Sequence, residues 1–127
     1  MPHRFTAFGL LDAPETGLLR EFRIAGTVVA ESGRFFNVTV GADANRDFNA
    51  QTDRPFLVGR NTLQGPAYVN VDVRVSRFLT VHSARLELIL EAFNLFNRVN
   101  VQSVNGVWGT GDQPLASYGT PNAVFNP

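Results

Sequence analysis

The sequence has no cysteine and no lysine; its eleven basic side chains are all arginine. Without cysteine there is no disulfide, no thiolate metal centre and no cysteine nucleophile, although the compartment stays open. Eleven carboxylates match the eleven arginines, so the formal net charge is zero. That excludes a polybasic nucleic-acid binder. Histidine is scarce, with only His3 and His82. His82 has Ser83 beside it, but no nearby Asp and no G-x-S-x-G turn, so hydrolase chemistry is not expected. The glycines of "GVWGTG" (106–111) lack the Lys-Ser/Thr of a phosphate loop. No run approaches about 18 apolar residues, so no transmembrane helix is expected. Residues 1–11 lack the apolar core and cleavage site of a secretory leader. These absences point away from an enzyme and from a bound cofactor. They say nothing against a membrane barrel, whose alternating strands escape hydropathy scans.

What is present is alternation. With 44% hydrophobic residues the chain is not disordered throughout. Strands are predicted near 4–11, 20–40, 67–78 and 84–95. In the second, Phe22, Ile24, Gly26, Val28 and Ala30 share one face, and Gly33 bends the chain before Phe36, Val38 and Val40 resume. In the third, Val69, Val71, Val73 and Val75 alternate with Asn70, Asp72, Arg74 and Ser76 without an error. In the fourth, Leu86, Leu88 and Leu90 alternate with Arg85, Glu87 and Glu91, until the pattern collapses into "FNLFN" (93–97). Leucine suits helices, yet a spacing of two favours a strand. The links near 12–17 and 79–83 are short. Those at 41–66 and 98–127 are long, polar and Gly-rich. Such alternating link lengths predict an all-β, antiparallel up-and-down meander: an incomplete segment of a transmembrane β-barrel with its long loops at one end. Tyr68 and Phe78 at the ends of one strand, and Phe93 and Phe96 after the next, fit an interfacial aromatic girdle.

Four stretches resemble a known family. "PHRFTAFGLLDAP", "LLREFRIAGTVVAESGRFFNVTVGADANRD", "TDRPFLVGRNTLQGPAYVNVDVRVSRFL" and "RLELILEAFNLFNRVNV" are similar, in that order, to the C-terminal barrel of TonB-dependent outer-membrane receptors. The resemblance is to Oar-like members that carry a carboxypeptidase-regulatory-like domain. It implies a transporter barrel in the outer membrane of a Gram-negative bacterium, filled by a plug and driven through TonB. It also implies roughly twenty-two strands, far more than 127 residues supply. No plug, TonB box or final strand ending in an aromatic residue is read here, so the expectation is a fragment with no complete activity of its own. Its partners would be outer-membrane lipid and the remainder of the barrel and plug. TonB would be reached only through an N-terminal part.

Site residues follow from the two faces. Asn70, Asp72, Arg74, Ser76, Arg85, Glu87 and Glu91 are expected to face the lumen, mostly as mutually paired charges. Val69, Val71, Val73, Val75, Leu86, Leu88 and Leu90 are expected to face lipid, largely exposed. These faces demand that valines and leucines share a side. Charge matching then favours Val73 opposite Leu88 and Arg74 opposite Glu87, with Thr80 and Val81 as the turn. A second reading is a small soluble antiparallel β binding module. Asp43, Asn45 and Asp47, at every second position of "DANRDFNAQTD" (43–53), are weak calcium candidates. The position where a calcium loop needs Gly holds Phe48, and the position needing Glu holds Arg54.

Overall fold

The computed structural model describes residues 3–125 and contains only strands: β1 (Arg4–Asp12), β2 (Phe22–Glu31), β3 (Phe35–Phe36), β4 (Leu63–Gln64), β5 (Tyr68–Val81), β6 (Ala84–Ala92), β7 (Asn100–Val104) and β8 (Pro121–Phe125). They fall into two compact units. One, built from Arg4–Glu31 and Val69–Arg98, is a single sheet in the order β1-β2-β5-β6. The other, from Ser32–Tyr68 and the chain beyond residue 98, carries the two-stranded sheets β3-β4 and β7-β8.

The large sheet is antiparallel and open. β1 pairs with β2, and β5 with β6, in antiparallel register. Between them the Phe78 N–H donates to the Glu21 carbonyl at 3.0 Å, while Gly26 lies against the Asp72 backbone. The numbers therefore run in opposite directions there too. No parallel pair and no crossover helix occurs in this sheet, so the long segments leave it at one end and the short links at the other.

The sheet is one layer deep, and its exposure follows strand position. β1 and β6 are edge strands and are exposed almost throughout; β2 and β5, flanked on both sides, are mostly half-buried. The valines of β5 are thus half-buried by their neighbours rather than largely exposed. Leu86, Leu88 and Leu90 on the edge are 50%, 58% and 72% exposed. The buried apolar side chains among the described residues are Val38 and Val104, both in the other unit. A soluble module with a core beneath the valine face is not what this sheet forms.

Three further sequence expectations need correction. The strand expected over 20–40 ends at Glu31. Gly33 then packs so closely on the Gly65 carbonyl that a Cβ would collide, and only the short β3 and a parallel bridge from Thr39 to Val107 follow. The tail over 98–127, expected as loop, contains the β7-β8 pair, with bulges between Val101 and Val104. Finally, the β5-β6 register differs by four residues: Val73 faces Ala92 and Arg74 faces Glu91. The turn is His82-Ser83, which extends β5 through Val81. Parity survives the shift, so valines and leucines still share a face.

The turn and the strand closure both use left-handed backbone. His82 holds φ 56°, Asn94 φ 49° and Asn97 φ 48°. "NLFN" closes β6 because Asn94 serves the turn with both ends of its amide. Its Oδ1 accepts from the Arg98 N–H at 3.0 Å and its Nδ2 donates to the Arg98 carbonyl at 3.1 Å. The Asn94 N–H in turn donates to Asp72 Oδ1 at 2.9 Å, and the Leu95 N–H to the Val71 carbonyl at 2.8 Å.

Two outcomes are expected from these geometries. His82→Gly should raise stability by about 0.5–1 kcal/mol, because glycine enters left-handed φ without the Cβ penalty, at some entropic cost in the unfolded chain. Asn94→Ala should lower it by about 1–3 kcal/mol, losing two side-chain bonds and straining φ, with Asn94→Gly costing less. Urea unfolding of the detergent-held chain checks both. Equal midpoints for Asn94→Ala and the parent would contradict the closure described.

Candidate functional site

The register brings the charges of one sheet face together. Arg74 Nη1 lies 3.1 Å from Glu91 Oε1, directly across the ladder, and its Nη2 lies 3.8 Å from Glu87 Oε1. One guanidinium thus bridges two carboxylates on β6. Arg85 stacks over the Phe78 ring at 4.4 Å, on the same face. Ser76 is the most buried of the set, at 2% exposure. Asp72 accepts both from Asn70 Nδ2 and from the Asn94 N–H. On the neighbouring strands Arg23 Nε meets Asp12 Oδ1 at 2.6 Å, and Arg4 Nε meets Glu31 Oε1 at 3.4 Å. Asn70, Asp72, Arg74, Ser76, Arg85, Glu87 and Glu91 therefore lie on one face, engaged largely with one another. Exposed cross-strand pairs of this kind contribute about 0–1 kcal/mol each. Their main effect is on register.

The opposite face carries Val69, Val71, Val73 and Val75 beside Leu86, Leu88 and Leu90, as the alternation requires. Gly9 faces Gly26 across β1 and β2, leaving a shallow apolar dent bordered by Leu11, Ile24 and Val28. One residue breaks the pattern. Arg77 follows Val75 in the apolar row, and its guanidinium stacks over the Phe22 ring at 4.8 Å. Its Nε is buried and has no hydrogen-bond partner. Reading the period of two one residue past Ser76 reveals it; the clean valine pattern ends just short of it.

The Asp/Asn loop spends its oxygens on its own backbone. Asp43 accepts from the Asp47 and Phe48 N–H groups, Asn45 from Asp47, Asp47 from Asn49, and Asn49 from Gln51. Asn45, Asp47 and Asn49 each cap the amide two residues on, and Asp43 caps those four and five residues on. Asp53, 8% exposed, accepts from Ala44 at 2.6 Å and from Asn45 at 3.2 Å. Among the described residues no three histidine or carboxylate side chains converge into a metal centre.

Sequence reasoning passed over a cavity of about 340 Å³ in the loop-rich unit, where Arg54 and Arg60 meet Asn37, Asn61, Gln51 and Thr52. The only cue was two arginines six residues apart in "DRPFLVGRN", with a single nearby carboxylate.

Among the described residues no helix is long and apolar enough to cross a membrane, which says nothing of strands. A family model described as an outer membrane beta barrel domain matches residues 57–122, just over half of the chain, including all of β5 and β6. No curated protein and no solved structure matches. With a two-faced, unclosed antiparallel sheet beneath that match, the chain belongs to the outer membrane beta barrel domain family, as a segment of a barrel wall in the outer membrane.

Proposed function

We propose that this wall segment is part of the barrel of a TonB-dependent transporter of the Oar-like kind, in the outer membrane of a Gram-negative bacterium. The observation that carries the reading is the single-layer sheet: its leucine face is uncovered and its other face is internally charge-paired. A wall between lipid and a wet lumen needs both. Support for the transporter comes from the four stretches, "EAFNLFNRVN" above all, in the order they take in such receptors. The Val69–Val75 and Leu86–Leu90 rows meet lipid. The Arg74, Glu87 and Glu91 cluster lines the lumen beside the plug. The segment has no complete activity by itself and is not an enzyme. TonB acts through an N-terminal part of the receptor, and the substrate is chosen by plug and loops together.

The absence of cysteine makes the faces directly measurable. Val73→Cys and Leu90→Cys, in the receptor inserted in outer membrane, are expected to react with a lipid-soluble maleimide and not with a charged one. Ser76→Cys and Glu87→Cys should show the reverse preference. Equal labelling at all four positions would sink the wall assignment. The transporter reading is checked by substrate uptake: accumulation should stop when an uncoupler collapses the inner-membrane potential. Uptake that continues unchanged would make the barrel a passive pore.

A further inference from the structure

We infer that the cavity between Arg54 and Arg60 is a binding site for a small, hydroxyl-rich anion, a sugar acid or sugar phosphate in chemical class. Its volume of about 340 Å³ lies at the lower end of ligand pockets, enough for one small ring. No carboxylate lines it. The nearest in sequence, Asp53, is turned inward and occupied by the Ala44 and Asn45 amides. Two guanidiniums thus share a cavity without a counter-charge. Neither makes a hydrogen bond or ion pair with another described residue. The sheet arginines differ: Arg74 and Arg23 are paired with carboxylates, and Arg77 and Arg85 are stacked on rings. Planar guanidinium forks suit the two oxygens of a carboxylate or phosphate.

The rest of the lining fits the rest of such a ligand. Asn37, Thr39, Gln51, Thr52 and Asn61 offer amides and two hydroxyls for sugar hydroxyls. No aromatic or aliphatic side chain lines the space, so neither an acyl chain nor a stacked base has a surface to rest on. The walls are held before any ligand arrives. The Asn61 N–H donates to Asn37 Oδ1 at 3.0 Å across 24 residues of sequence, the Val40 N–H to the Asp53 carbonyl at 2.9 Å, and the Val58 N–H to the Pro55 carbonyl at 3.1 Å. Preformed walls lower the ordering cost of binding. The cavity lies wholly within residues 37–61, so the proposal stands apart from the transporter reading.

The test is amide NMR of the full chain, ¹⁵N-labelled in detergent, titrated separately with glucose 6-phosphate, gluconate, inorganic phosphate and glucose. Saturable shifts are expected at Thr52, Arg54, Arg60 and Asn61 with the first two. Inorganic phosphate should bind more weakly, and glucose should shift nothing. Arg54→Gln and Arg60→Gln should each weaken glucose 6-phosphate binding by roughly tenfold or more, since each removes a charge-assisted bond. Arg20→Gln, in an exposed turn of the other unit, should leave it unchanged. If a glutamine variant disturbs amides far from the cavity, Arg54→Lys and Arg60→Lys replace it, with weaker but measurable binding expected. Glucose binding as tightly as its phosphate, no shift with either anion, or parent-like binding in both arginine variants would overturn the proposal.

Discussion

A residue in the large sheet always meets a neighbour of opposite number parity: Arg4 faces Glu31, Gly9 faces Gly26, Val75 faces Leu90. Slipping any pairing by one residue would turn a whole apolar row onto the charged side. Parity is therefore the constraint from which the other features follow. It aligns Phe5, Ala7 and Leu11 with Ile24 and Val28, and the β5 valines with the β6 leucines. It also gathers the charges, since Arg74, Glu87 and Glu91 can meet only if all three share a side. Parity alone leaves registers two residues apart undecided. The ion pairs, worth little each, do not separate all of those candidates, since Arg74 finds a glutamate opposite it in more than one register; the His82-Ser83 turn selects the one with Arg74 opposite Glu91. The bridging of Arg74 to both glutamates is the arrangement the protein adopts.

Strand ends need a different device, because alternation has no natural stopping point. At the loop end of β6 the device is Asn94. Its left-handed φ turns the chain, its amide closes the turn on Arg98, and its N–H reaches the β5 carboxylate of Asp72. Asp72 thus serves the wall and the loop at once, which is why a charged residue on β5 sits level with the end of β6. The same economy recurs in the 43–53 loop, where Asp and Asn side chains replace the missing strand partners of backbone amides.

The strands, their antiparallel order and their two faces were legible, since each rests on period two over eight or more residues. The β5-β6 register was not. His82-Ser83 has no sequence mark of a hairpin turn, and His82 enters left-handed φ without the glycine or asparagine that would announce it. Placing the turn at Thr80-Val81 instead shifted the pairing by four residues. The β7-β8 pair escaped for another reason: "NVQSV" is short and bulged, and "PNAVF" begins with proline, a residue that demotes a strand reading. The Arg54–Arg60 cavity was illegible because its walls come from separated segments joined by the bonds from the Asn61 N–H to Asn37 Oδ1 and from the Val40 N–H to the Asp53 carbonyl, which no local pattern encodes.

Arg77 ties the faces to a membrane's thickness. On the proposed lipid face a guanidinium costs about 2–4 kcal/mol at mid-bilayer but about 0–1 kcal/mol near the interface. Its stacking on Phe22 offsets part of that, and its unpartnered Nε adds to it. The residue is therefore tolerable only where its charged end can reach headgroups. Along β5, Tyr68 and Arg77 stand nine residues apart. At about 3.3 Å per residue and a tilt near 40°, that span is roughly 23 Å along the membrane normal, close to the ~25 Å apolar band of outer-membrane barrels. Within that span the row that ends in Arg77 holds Val69, Val71, Val73 and Val75, while Tyr68 belongs to the opposite face. An unbroken β-branched row that ends in an arginine able to reach the interface is what one strand of the proposed wall requires, and here the spacing of both follows from a single period of two.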